Sequence, residues 1–207
     1  MRVFDELNAP SESQIIPIEQ YFDEMELTKS QKDKRKEFAE SMEEIMLFIF
    51  ALFLTMKEYK YIRKNYIIQQ LELRYSDIVS KYVDIDRYLE DYIAEFSADT
   101  VETTIRNGDT AYFTSGDRAI LIAENESHFT FSRNEYYEAI KSGKTKKQWM
   151  DIRDKKERKT HREAGGMVLP IREPFVVGNS LMMYATDKSL NAEAKELINC
   201  RCTTRYF

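Results

Sequence analysis

The chain has 207 residues, 43% hydrophobic and 32% charged, with a formal net charge of −5. That is enough apolar matter for a buried core, which argues against global disorder, and too mild an acidity to name a partner by charge alone. Six glycines and four prolines favour long helices over a sandwich or barrel, and two cysteines do not make a disulfide framework.

Residues 1–27 carry seven acids against Arg2 alone. This acidic start does not read as a secretory leader. Ile15, Ile16, Ile18, Tyr21, Phe22 and Met25 offer a short apolar face, so the segment reads as an acidic arm with one surface helix, or as an arm that orders on a partner protein.

Thr28 or Ser30 is the expected cap of the next helix. The basic group Lys32, Lys34, Arg35 and Lys36 reads as a solvated face. Phe38, Met42, Ile45, Met46, Ile49 and Phe53 follow at helical spacing. Leu47, Phe48, Phe50 and Leu52 fill the other side, which predicts a helix apolar all round and central. Residues 45–54 give roughly 15 Å of helix against about 30 Å of hydrocarbon, so a buried helix is expected rather than a membrane span.

No Gly or Pro interrupts residues 18–107. A turn is expected near residues 57–60 or near Asn65. Ile68, Leu71, Tyr75, Ile78 and Tyr82 have the spacing of packed helices. Asp84 or Asp86 caps a further helix carrying Leu89, Ile93 and Phe96. Asn107-Gly108-Asp109 is a stop signal. The expected division is an acidic arm at 1–27, a helical region at 28–110 and a small mixed domain at 111–207, an α+β chain.

Ser115 is a plausible N-cap, with Asp117 suited to the helix dipole, for a helix running to about Ile140. Ser142-Gly143-Lys144 ends it. A strand is expected around Trp149, a turn at Gly165-Gly166, a short strand at 167–170, a short helix at 191–197 and an extended tail after Thr203.

His161, Cys200 and Cys202 are the one metal-ligand grouping available, since zinc favours imidazole and thiolate. A fourth ligand is missing; Glu157, at i−4 from His161, and Asp154 are within sequence reach. A Cys–His nucleophile lacks any companion signature, and His128 reads as structural. Residues 141–163 hold ten basic side chains against four acids, a balance of +6 within a chain of −5. Lys146, Lys147, Lys155, Lys156 and Lys159 are the candidate binding patch, for phosphates or for an acidic protein surface.

Four pieces occur in one order: Arg118-Ala119-x-x-Ile122-Ala123-x-x-Glu126; Lys147-x-Trp149 with Asp154, Arg158 and His161; Pro170-x-x-Glu173-Pro174-Phe175; and Asn199-Cys200-Arg201-Cys202-Thr203. Over about residues 112–204 this resembles the head-morphogenesis domain of the Mu F-like minor head proteins of tailed bacteriophages. In some relatives the positions of Arg158 and His161 are both cysteines. The resemblance therefore implies a shared role, with zinc as the candidate ion, for His161, Cys200 and Cys202, while Arg158 leaves the fourth ligand open. Ala164-Gly165-Gly166 and Tyr184-Ala185-Thr186 also depart from the pattern. The resemblance implies a low-copy, non-enzymatic component of the virion. Its expected place is the portal vertex inside the head, reached from the host cytoplasm during assembly. Its expected partners are the portal protein, the major capsid or scaffolding protein and DNA, with no membrane; its expected roles are head assembly and DNA packaging or ejection. The alternative is a small nuclease- or transferase-like enzyme using His161 and Glu126, with Arg118. The expected geometry brings His161 to both sulfurs, pairs the tail with the Trp149 strand, and buries Trp149 and Phe175.

Overall fold

Thr28 begins the longest helix with a reciprocal cap. Its hydroxyl accepts from the Gln31 amide, and the Gln31 side chain accepts from the Thr28 amide at 3.0 Å. The computed structural model describes residues 16–207; the first fifteen positions of the expected acidic arm lie outside the described residues. The helices are α1 (Ile18–Asp23), α2 (Lys29–Glu58), α3 (Lys64–Ser80), α4 (Arg87–Asn107) and, after a 3-10 turn at Ala111–Thr114, α5 (Gly116–Lys141). Then come β1 (Lys146–Met150), α6 (Lys159–Ala164), β2 (Val168–Pro170), β3 (Phe175–Val177), β4 (Ser180–Met182), α7 (Ala194–Leu197) and β5 (Thr203–Tyr206). The chain is α+β, helical first and with two small antiparallel sheets towards the C-terminus.

Two compact units divide these residues. One takes Ile16–Lys36 with Glu124–Phe207, the other Glu37–Ala123. The chain thus changes over within α2 and within α5, where no turn signal marks the sequence.

In the unit Glu37–Ala123, α3 packs on α4. Asp86 caps α4 by accepting from the Leu89 amide at 3.0 Å. Tyr75 sits edge-on to Phe96, with ring centroids 5.2 Å apart, and Phe38 reaches Tyr75 at 6.4 Å. Phe38, Met42, Met46, Ile49 and Phe53 are buried along one face of α2. The expectation of a helix apolar all round and buried is corrected on the other face. Leu47, Phe48 and Leu54 are 42%, 41% and 44% exposed, and the Arg74 guanidinium lies 4.3 Å from the Phe48 ring. The apolar run of α2 exceeds what one layer of neighbours covers.

In the other unit, β1 is central, flanked antiparallel by β2 and β5 in the order β2-β1-β5. Trp149 pairs with Thr204 and Lys147 with Tyr206, so the tail does lie on the Trp149 strand. Pleat alternation turns Lys147 and Trp149 to one face, and both are fully buried. Trp149 packs edge-on against Phe175 at 5.3 Å. The β3–β4 hairpin turns through Gly178, whose positive φ of 59° suits the first central position of a tight hairpin turn.

Helix α5 carries the polar run Glu124, Asn125, Glu126, Ser127 and His128, yet all of these are buried. Asn125, Glu126, Ser127 and His128 are each tied to a distant segment. The Asn125 side-chain Oδ1 accepts from the Asn199 backbone amide at 3.0 Å, Glu126 pairs with Lys188 at 2.7 Å, and the Ser127 hydroxyl donates to the Arg35 backbone carbonyl at 2.8 Å. Pairing of this kind offsets the cost of taking a polar side chain out of water. Arg35 corrects the reading of its basic cluster as a solvated face. Its guanidinium is buried, with both terminal nitrogens on Glu135 at 2.9 Å.

Candidate functional site

His161 stands on α6, a six-residue helix, and Cys200 and Cys202 flank Arg201 just before β5. Asn199, at φ 54°, turns the chain into that run; Asn tolerates the left-handed region better than most residues. The His161 Nδ1 atom lies 3.3 Å from the Cys202 sulfur and 3.6 Å from the Cys200 sulfur. All three side chains are buried, and one ligand atom from each falls within 4.8 Å of the others.

The other ring nitrogen, Nε2, is 3.1 Å from Oε2 of Glu196, which also accepts from the Thr160 hydroxyl at 2.8 Å. A carboxylate only accepts, so Nε2 carries the hydrogen and Nδ1 faces the sulfurs. Glu196 is 2% exposed. A Cβ at Gly178 would fall 2.8 Å from its Oε1, so the hairpin glycine leaves the space that Glu196 fills. Trp149 closes the other side, its ring centroid 5.8 Å from that of His161.

The charges of this cluster are shared. A hydrogen bond from Cys202, opposed by burial and aided by His161, holds the Cys200 thiol well below its ordinary range. The same bond and burial push Cys202 up. Burial lowers the proton affinity of His161, but the Cys200 thiolate and Glu196 outweigh it and leave it raised. His128 behaves oppositely. Its Nε2 donates to the Cys202 carbonyl at 2.8 Å, and burial drives it to about 4, so it is a neutral structural link.

The remaining motif residues hold the unit together. Arg201 bridges Glu24 and Asp154, the latter at 2.5 Å. Arg158 donates to the Ile198 carbonyl instead of joining the cysteine cluster. Glu157 and Asp154 are likewise spoken for, by Arg162 and Arg201. Arg118 belongs to the other unit, where it donates to the Thr104 hydroxyl and the Phe113 carbonyl, and burial lowers its proton affinity to about 10. His161 and Glu126, the pair that an enzymatic alternative needs, are each engaged by a separate partner, Glu196 and Lys188.

Of the basic patch, Lys146, Lys155, Lys156 and Lys159 are exposed. Lys147 is a correction. It is buried, donating to the Met183 carbonyl at 2.5 Å and lying 4.7 Å from the Phe175 ring, because strand alternation turns it inward. Each acid of the segment already has a cation: Asp151 with Arg153, Asp154 with Arg201, Glu157 with Arg162 and Glu163 with Lys159.

A family model described as Phage Mu protein F like protein matches residues 74–205, more than half of the chain. The chain belongs to that family. The Mu F-like match starts inside α3, well before residue 112, so it takes in α4, a helical part where no motif was recognisable. No curated protein and no solved structure matches the chain. A Mu F-like chain is a phage head morphogenesis protein and a component of the virion. Among the described residues no helix is long and apolar enough to cross a membrane.

The sequence reading missed Glu196. It sits two residues before Ile198 in a four-residue helix, where an acid normally faces water, and only its pairing with Thr160 and His161 marks it out.

Proposed function

We propose that this Mu F-like protein is a minor, non-enzymatic head component acting at the portal vertex. It contacts the portal protein and the DNA that passes there through the exposed Lys155 and Lys156, just before α6, and Lys159 at the start of that helix. One observation carries the reading. The four acids of the basic segment are already matched to Arg153, Arg201, Arg162 and Lys159, so no acid of the segment answers the exposed Lys155 and Lys156. Cations left over in this way suit phosphate oxygens, whose condensed counterions are released on binding. Host-cytoplasmic assembly with portal and scaffolding or major capsid protein, followed by a part in packaging or ejection, follows from that placement.

The test combines two measurements on the Lys155→Glu, Lys156→Glu, Lys159→Glu triple variant. The expected result is lower incorporation into heads, and retention of DNA that falls steeply as salt rises for the wild type but is weak throughout for the variant. Incorporation and DNA retention both equal to wild type would overturn the proposal.

A further inference from the structure

We propose that His161, Cys200 and Cys202 bind one zinc-class divalent ion through Nδ1 and the two sulfurs, with Glu196 as the outer carboxylate that orients the imidazole. The inference rests on the geometry of this cluster and stands whether or not the portal reading does.

Three lone-pair donors converge here from two segments of chain. The Nε2 hydrogen of His161 is committed to Glu196, so in the neutral, ligating ring Nδ1 offers its one lone pair to a point shared by two sulfurs. Bond lengths of about 2.0 Å to nitrogen and about 2.3 Å to sulfur, at a tetrahedral angle, place nitrogen and sulfur about 3.5 Å apart. The observed separations are 3.3 Å and 3.6 Å. A carboxylate on the far nitrogen of a ligating histidine is the usual way such a ring is held. Here that carboxylate is buried, tied by Thr160, and given room by Gly178. Among the described residues the cluster supplies three ligands, so the fourth position falls to solvent or to a donor outside the described residues. Binding would lock α6 to the segment leading into β5, and through the Cys200 carbonyl, which accepts from Tyr21, to α1.

The experiment uses the full chain, expressed with zinc, purified without chelator and assayed by elemental analysis, then exchanged into Co²⁺. About one ion per chain is expected, with intense near-ultraviolet thiolate-to-cobalt absorption. The Cys200→Ser and Cys202→Ser variants should lose the ion. His161→Cys keeps a ligand and adds a third sulfur, so it should still bind and absorb more strongly. Glu196→Gln, with an unchanged far-ultraviolet circular dichroism spectrum, should bind about 10- to 100-fold more weakly. A reduced wild type and a reduced His161→Cys that both take up neither Zn²⁺ nor Co²⁺ would overturn the site. So would uptake unaffected by replacing both cysteines. Unchanged affinity in Glu196→Gln would overturn the role given to that residue.

Discussion

The Tyr21 hydroxyl donates to the Cys200 carbonyl oxygen at 2.7 Å, across 179 positions of sequence. Both residues are buried, so helix α1 is fastened to the segment that carries the cysteines and leads into β5. Tyr21→Phe strands that carbonyl without its donor, and a loss of about 1–2 kcal/mol is expected. Tyr21→Ala adds a cavity and should cost about 3–5 kcal/mol. Urea denaturation of the two variants measures both, and equal, negligible losses would mean that α1 is dispensable to the unit.

Arg35 and Glu135 form a two-pronged ion pair whose arginine side chain is 1% exposed. Removing one partner leaves a buried charge, so Glu135→Ala should cost about 3 kcal/mol or more. Replacing both, as Arg35→Met with Glu135→Leu, should recover most of it. A double variant as unstable as the single one would mean that the pair is not the source of the loss.

Lys147 is held down to about 8 from an ordinary 10.5 by burial, against the pull of Asp187 and Glu173. The folded state therefore releases this proton at lower pH than the unfolded chain. Between about pH 8 and 10.5 the unfolded state binds more protons, and stability contributed through this group rises with pH. Below pH 8 the full cost of burying the charge is present. Relative to Lys147→Met, the wild type should gain up to about 3 kcal/mol across that window. Parallel pH curves for the two proteins would refute the assignment.

Gly178→Ala meets two obstacles at one position. The backbone φ of 59° is unfavourable to a side chain, and the new Cβ would lie 2.8 Å from Glu196. A loss of about 1–3 kcal/mol in thermal or chemical denaturation is expected. A neutral result would show that the hairpin turn and Glu196 both shift at no cost.

Local signals were the legible part of this chain. Thr28, Asp86 and Ser115 each bond at the helix starts their side chains announced; the Ser115 hydroxyl accepts from the Arg118 amide at 3.2 Å. Trp149, His161, Cys200 and Cys202 could be placed together because their residue types have few uses in common. What was not legible is which polar groups are buried. Arg35, Lys147, Glu126 and Glu196 look like surface residues, since composition cannot say that a partner waits 100, 36, 62 or 35 positions away. Their burial is decided by tertiary pairing, which neither helical nor strand periodicity encodes. The same blindness explains α5, whose mixed sequence gives no apolar face because every residue from Leu121 to Arg133 is buried.

The discontinuity of the first unit has a consequence for synthesis. Ile16–Lys36 leaves the ribosome before Glu37–Ala123, and the partners of α1 follow both. At about 5–20 residues per second, Tyr21 waits roughly 10–40 s for Cys200. During that interval the intervening unit has all of its own residues and is free to fold. Sheet β2-β1-β5 stays one strand short until residues 203–206 emerge, leaving an edge of β1 unpaired. A nascent chain therefore carries a sticky edge until Thr203–Tyr206 emerge, and a ribosome that stalls before Thr203 holds a product prone to aggregate rather than a shorter working protein.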